Sequence, residues 1–347
     1  DDQQLLRYIY HELGHAFMKT YMASFIEVPS WIEEGNAELF QYRIGNGTKP
    51  ENERIERQGW LREMLEEGSL IPWPEFIKVH NLDNLDFTWK DQSRSVIQYC
   101  QAWSVIEFMI SNPARQTQYL RMLEKLKKST QAAMGTKITS QNDLTTYLYS
   151  IQEATFKECY GVEFTEVEEI WHKDWIIKEY QRLLPKHPLL MYHRGNWLLS
   201  FRLKQNDPEG SKAVIATAEA RFNECITVAP TCAEGHVGLG QIAMLRHDFA
   251  AAQVHFDEAL RLDSESFDAL LRGGIAKVES GKAEDAVPLL KQASLQRPTS
   301  ADAQLHLGRA LAIEGRDLDS AVVALAAAWS SISRGPLLDQ SFLAEVV

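Results

Sequence analysis

A 34-residue period in the second half of the chain constrains the fold more than any other feature. Pairs ending in glycine recur at this interval, at Leu239-Gly240, Gly273-Gly274 and Leu307-Gly308. Small and apolar residues repeat with the same spacing, at Ala252 and Ala286, Phe256 and Leu290, and Ala259 and Ala293. A period of this length predicts stacked helix pairs, each burying its apolar face against the next pair, with the glycines allowing close packing.

This pattern resembles the tetratricopeptide repeat (TPR), a helix-turn-helix unit that stacks into a solenoid. Pro298 stands where that repeat usually ends, and the third unit slips by one residue, to Ala321, Leu325 and Ala328. Upstream, residues 189–204 and 211–228 form a divergent first pair, so about four pairs are expected. The resemblance implies a TPR-like domain over residues 185–347 that binds a protein partner on its concave surface.

A second motif, His11-Glu12-Leu13-Gly14-His15, lies near the first residue of the chain. Two histidines four residues apart share one face of a helix, so both imidazoles can reach one metal ion. Eighteen residues separate His15 from Glu34. This length allows the first helix to end and a second helix to present a carboxylate. The predicted Zn²⁺ ligands are therefore His11, His15 and Glu34.

Three more glutamates accompany these ligands. Glu12, beside His11 but not aimed at the metal, can take a proton from a zinc-activated water and pass it to a leaving amine. Glu38 follows Glu34 by one helical turn, where it either orients a ligand histidine or is simply solvated. Glu33 is expected to pair with Ser30 in a capping box at the start of the second helix.

At these residues the sequence resembles the gluzincins, the metallopeptidases that include the thermolysin-like and aminopeptidase-N-like families. The stretch from Trp31 to Glu38 is similar to the aminopeptidase sequence W-L-N-E-G-F-A, with the same 18-residue gap. The resemblance implies a zinc peptidase domain over residues 1–184 that hydrolyses peptide or protein substrates. It also implies that Tyr99 stabilises the oxyanion; the alternative for Tyr99 is an aromatic side chain in helix packing.

Only ten residues precede His11, so the substrate-holding motif and sheet edge that the family encodes upstream are expected to lie outside this chain. Without the motif that binds a free amine, endopeptidase activity is favoured over aminopeptidase activity. A protein-interaction scaffold with a structural or inactive zinc site is the main alternative, and hydrolysis of non-peptide amides is another.

The remaining sequence supports a mainly α fold, a helical zincin-type subdomain followed by an α-solenoid. Alternating runs at 25–28 and 137–139 are the best strand candidates, and both are short.

The net charge of −12, from 36 basic and 48 acidic residues, argues against nucleic acid as a partner. No apolar run is long enough to span a membrane. The four cysteines are expected to be buried free thiols rather than disulfides. The compartment is unknown from the sequence; the resemblance favours export to the periplasm or cell exterior over the cytoplasm.

Overall fold

The computed structural model describes residues 2–22, 28–44, 50–78, 92–132, 141–203 and 207–333, and these ranges contain helices and no strand. Most of the weak strand candidate at 25–28, and all of that at 137–139, lie outside the described residues. The α-helices are α1 Asp2–Met22, α2 Ser30–Ile44, α3 Pro50–Glu67, α4 Trp73–Phe76, α5 Gln92–Met109, α6 Pro113–Ala132, α7 Gln141–Tyr160, α8 Phe164–Ile170, α9 Lys178–Leu183, α10 Leu189–Phe201, α11 Pro208–Val228, α12 Ala233–Leu245, α13 Phe249–Leu262, α14 Phe267–Glu279, α15 Ala283–Gln296, α16 Ala301–Glu314 and α17 Leu318–Ser333. A π-helix, Trp171–Ile177, connects α8 to α9.

The chain divides into two compact units, Asp1–Arg202 and Leu203–Val347. Because the regular elements of the described ranges are helices, the mainly α fold predicted from the sequence is confirmed. None of the described helices combines the length and the apolar composition that crossing a membrane requires.

The N-terminal unit has a core rich in aromatic side chains, and two of its buried indoles donate hydrogen bonds to polar side chains. Helix α2 packs between α1 and α5, and α3 packs against α10. The indole N–H of Trp31 donates to Gln152 (2.7 Å), and that of Trp171 donates to Ser104 (3.1 Å). Each indole therefore buries its ring without losing its hydrogen bond. This packing gives α2, which carries Glu34, a fixed position.

Helix α10 belongs to the N-terminal unit by its contacts, although the sequence predicted that residues from 185 onward open the repeat domain. Arg194 is buried in an ion pair with Glu63 of α3, with Nε and Oε2 2.6 Å apart. Trp197 and Arg202 both donate to Glu67, at the end of α3. These charged pairs fasten α10 to α3, so the boundary between units falls after residue 202.

The C-terminal unit stacks the pairs α12/α13, α14/α15 and α16/α17, with α11 packed on α12. Ala252, Phe256 and Ala259 are fully buried, and so are their counterparts 34 residues later. A methyl group on Gly240, Gly274 or Gly308 would lie only 2.5–2.6 Å from a side chain of the paired helix, respectively Phe256, Leu290 and Leu325. The repeat period, the one-residue slip and the role of these glycines are therefore as the sequence predicted.

Candidate metal centre

Helices α1 and α2 lie side by side and carry the predicted metal ligands. His11 and His15 occupy successive turns of α1, and Glu34 lies near the start of α2. A Cβ atom on Gly14 would lie 2.6 Å from Cα of Ala37. Because Gly14 has no side chain, the two helices approach closely enough for the Glu34 carboxylate to reach both imidazoles.

The three candidate ligand atoms converge: both separations to Glu34 match a tetrahedral zinc site, and the two histidine nitrogens lie slightly closer to each other. His11 Nε2 and His15 Nε2 are 3.0 Å apart, and Glu34 Oε2 lies 3.4 Å from the first and 3.5 Å from the second. Ligands bound to zinc at about 2.0–2.2 Å in a tetrahedron are about 3.3–3.6 Å apart. Glu34 Oε2 is buried and has no hydrogen-bond partner within the described part of the chain.

These nitrogen and carboxylate donors fit Zn²⁺, which binds histidine and glutamate at such distances. Within the described ranges, His11, His15 and Glu34 are the only group of three or more His, Cys, Asp or Glu residues with the geometry to hold a metal ion.

Glu33 lies behind His15, where the sequence had assigned it to a capping box. Its Oε1 is 3.1 Å from His15 Nδ1 and 3.4 Å from Lys19 Nζ. Burial works to raise the pKa of Glu33, but His15 and Lys19 outweigh it and keep the pKa below its usual range. Helix α2 begins at Ser30 itself, with Pro29 O accepting the first backbone hydrogen bonds. Glu33 is thus placed to orient His15, a contact that the sequence analysis missed.

Glu38 lies behind His11. Its Oε1 is 3.4 Å from His11 Nδ1, and its Oε2 forms an ion pair with Arg57 of α3. Glu38 is only 8% exposed. Burial alone would raise its pKa, but the charge of Arg57 and the contact with His11 hold it below the usual range. Of the two alternatives for Glu38, the structure favours the contact with a ligand histidine over a solvated side chain.

With Nδ1 of each histidine facing a carboxylate, Nε2 of each faces Glu34. Carboxylates in these positions fix the ring orientation and favour the tautomer that leaves Nε2 free to bind a metal. Without a metal, the carboxylates favour positive charge at the centre. Burial works to lower the pKa of His11, but Glu34 and Glu38 raise it to about 9. In the absence of a metal, the positive charge that the carboxylates stabilise is a proton on His11, which a metal would have to displace.

The other two predicted site residues, Glu12 and Tyr99, lie on two helices, α1 and α5. Glu12 lies between the two histidines in sequence and is exposed on α1. Tyr99, on α5, has its ring centroid 6.4 Å from that of His11. The structure thus brings Tyr99 next to a ligand, and its proposed contact with an oxyanion stays a prediction.

Residues 271–334, from α14 to the end of α17, match a family model described as a tetratricopeptide repeat. Among solved structures, MamA is 18% identical over 49% of this chain and 94% of its own, with a TM-score of 0.35. YrrB, described as a TPR protein with an unusual peptide-binding site, is 15% identical over 60% of this chain and 94% of its own, with a TM-score of 0.34. No curated protein matches the chain. The family match confirms the repeat portion of the sequence interpretation and gives no support to the peptidase portion.

Proposed function

We propose that the C-terminal unit binds a protein partner, and that the N-terminal unit is a zinc-dependent peptidase. The family match supports the binding of a protein partner more directly than the peptidase activity, because the matched residues are the repeats themselves. The second is carried by a single observation, the convergence of His11, His15 and Glu34 at separations that suit zinc.

The arrangement of the repeats supports a protein-interaction scaffold. Helices α12, α14 and α16, the first helices of successive pairs, contact one another along the stack. Stacks of this kind curve and offer an extended concave surface. Arg272 and Arg309, on α14 and α16, are partly exposed basic side chains on these helices, and Arg309 is paired with Glu279.

Affinity capture with the full chain tests this role. Proteins retained by the wild type are compared with those retained by a variant carrying Arg272→Glu and Arg309→Glu. The matched control is Arg261→Glu, at an exposed arginine on α13. A scaffold predicts a defined set of retained proteins that the double variant loses and the control keeps. Retention by the wild type that does not differ from bare resin would contradict the proposal.

For the N-terminal unit, His11, His15 and Glu34 would hold zinc, which supplies a Lewis acid and an acidified water. Glu33 contacts Nδ1 of His15 and Glu38 contacts Nδ1 of His11, so each carboxylate orients one imidazole ring. Glu12 would accept a proton from the attacking water and deliver it to the departing amine. The Tyr99 hydroxyl would donate a hydrogen bond to the oxygen of the tetrahedral intermediate.

Incubation of a pool of denatured proteins with the chain tests the peptidase proposal. Wild type is compared with Glu12→Gln, which removes the proposed base and leaves all three ligands. The proposal predicts new peptides from the wild type only, and their loss on addition of a chelator. Equal, chelator-insensitive backgrounds from both proteins would favour the alternative, a scaffold with a structural or inactive zinc site.

A further inference from the structure

Two of the four cysteines lie beside each other in the C-terminal unit. Cys225 is in the last turn of α11, and Cys232 directly precedes α12. Their Sγ atoms are 3.2 Å apart, and neither cysteine is in a disulfide. Cys100 and Cys159 are also buried free thiols, but they lie in the N-terminal unit. The expectation of free thiols is therefore met, while the adjacency of Cys225 and Cys232 was not predicted.

The turn between α11 and α12 holds the two sulfurs together. Ala229 N donates to Cys225 O, and Cys232 N donates to Ala229 O, both at 2.9 Å. Both cysteines are thus anchored by the same three-residue turn. Because the turn already holds the two cysteines together, a bond between their sulfurs costs little further backbone entropy. Reaction between Cys225 and Cys232 is therefore favoured over reaction of either with a thiol of another molecule.

Cys232 has the surroundings of an attacking thiol. It is 7% exposed, whereas Cys225 is fully buried. The Cys225 thiol donates to Cys232 Sγ. This contact, with a smaller contribution from the backbone N–H of Gly235 in the first turn of α12, lowers the pKa of Cys232 against burial and the nearby Glu234. Glu234 Oε2, 3.4 Å from Cys232 Sγ, accepts a hydrogen bond from the neutral thiol. A helix N-terminus of this kind stabilises a thiolate.

We propose that Cys225 and Cys232 are a redox-active pair that closes to a disulfide by exchange with a low-molecular-weight disulfide such as glutathione disulfide. The Cys232 thiolate attacks one sulfur of glutathione disulfide, forming a mixed disulfide and releasing one glutathione thiolate. Cys225, after losing its proton, attacks Cys232 Sγ and releases the second glutathione thiolate. Two protein thiols are oxidised and one glutathione disulfide is reduced to two glutathione thiolates, which take up the two protons that the protein thiols lose.

Closure would join α11 covalently to α12, the first helix of the repeat stack. The cross-link restricts the unfolded chain and so stabilises the folded unit. Oxidation would therefore stabilise the end of the array at which α11 packs on α12 against local unfolding. This inference does not depend on the proposed zinc site.

The test is a thiol count on the full chain after incubation with either glutathione disulfide or reduced glutathione. The protein is denatured, its free thiols are alkylated, and its peptides are mapped by mass spectrometry without reduction. Four alkylated cysteines are expected after reduced glutathione. After glutathione disulfide, two are expected, with a cross-linked peptide pair containing Cys225 and Cys232. The thermal midpoint of the C-terminal unit should rise by several degrees in the oxidised protein.

Matched variants separate pairing from general thiol oxidation. Cys232→Ser should retain three alkylated cysteines and show no change in thermal midpoint, and Cys225→Ser should stop at a glutathione adduct on Cys232. Cys100→Ser and Cys159→Ser are the controls, and both should still form the cross-link. If one of these variants folds poorly, the other one alone provides the control. Four free thiols in the oxidised wild type, or separate adducts on Cys225 and Cys232 without a cross-link, would overturn the proposal.

Discussion

At the scale of single residues, Glu38 connects the candidate metal centre to the core. One carboxylate oxygen faces His11 Nδ1, and the other pairs with Arg57 of α3. Arg57 in turn is close to the Trp103 ring, with its guanidinium carbon 5.4 Å from the ring centroid. The orientation of a ligand histidine therefore depends on packing that lies beyond the residues of the zinc motif.

We expect Glu38→Gln to weaken zinc binding by about 10- to 100-fold, the usual effect of losing a carboxylate behind a ligand histidine. The amide can still fill the space but no longer balances a charged or polarised imidazole. Zinc affinity is measured by competition with a chromophoric chelator. Glu124→Gln, at an exposed glutamate of α6, is the control and should bind zinc as the wild type does. An unchanged affinity in Glu38→Gln would show that this contact does not support the site.

The convergence of His11 and His15 could be predicted from sequence, because helical periodicity alone places them on one face. The roles of Glu33 and Glu38 could not be predicted in the same way. A glutamate three residues after a serine fits a capping box, and the pattern does not reveal whether a histidine from another helix competes for that carboxylate. The structure settles the position of Glu33 at His15, and no local pattern in α2 indicates that contact.

His193 is expected to make the N-terminal unit sensitive to acid. Burial lowers its pKa from the ordinary 6.5 to about 4. Below pH 6.5 this histidine becomes protonated in the unfolded chain but stays neutral in the folded unit. The free energy of unfolding is therefore highest above pH 6.5 and falls progressively down to about pH 4. His193→Gln should therefore lose less stability between pH 7 and pH 5 than the wild type does.

Urea unfolding at pH 7 and pH 5, followed by tryptophan fluorescence, measures this difference. Eight of the nine tryptophans precede residue 203, so the signal reports mainly on the N-terminal unit. His247→Asn, at an exposed histidine of the C-terminal unit, is the control. Equal losses of stability in wild type and His193→Gln would contradict the assignment of acid sensitivity to His193.

At the scale of elements, the close contact between α1 and α2 determines whether the ligands meet. Replacing Gly14 by alanine would normally stabilise a helix by about 0.5–1 kcal/mol. Here the added methyl group would overlap the backbone at Ala37, and such overpacking costs about 1–3 kcal/mol. We expect a net destabilisation of about 1–2 kcal/mol in Gly14→Ala, together with weaker zinc binding, because the helices are forced apart.

The matched control is Ala16→Gly on the exposed side of the same helix. This change should destabilise by a comparable amount, about 1 kcal/mol, without altering zinc affinity. Stability is measured by chemical unfolding of the metal-free proteins, and zinc affinity by chelator competition. Full zinc affinity in Gly14→Ala would mean that the spacing of α1 and α2 does not limit the site.

At the scale of the whole molecule, the repeats were easier to predict than the boundary that precedes them. Each repeat buries the same alanine and apolar positions, such as Ala252 and Phe256, so a fixed period suffices to define the stack. Helix α10 has no such marker. Its apolar positions fit the first helix of a divergent pair. The buried Arg194–Glu63 ion pair and the hydrogen bonds from Trp197 and Arg202 to Glu67 show that it packs on α3.

Zinc content measured on the purified protein tests the proposed metal centre. The purified full chain is loaded with zinc, dialysed against metal-free buffer and analysed by atomic mass spectrometry, beside His15→Ala and Glu34→Gln. His247→Asn controls for binding by a surface histidine. The proposal predicts one zinc ion per chain in the wild type and in His247→Asn, and a loss of most of it in the two ligand variants. Much less than one zinc ion per wild-type chain, or equal content in the ligand variants, would contradict the account.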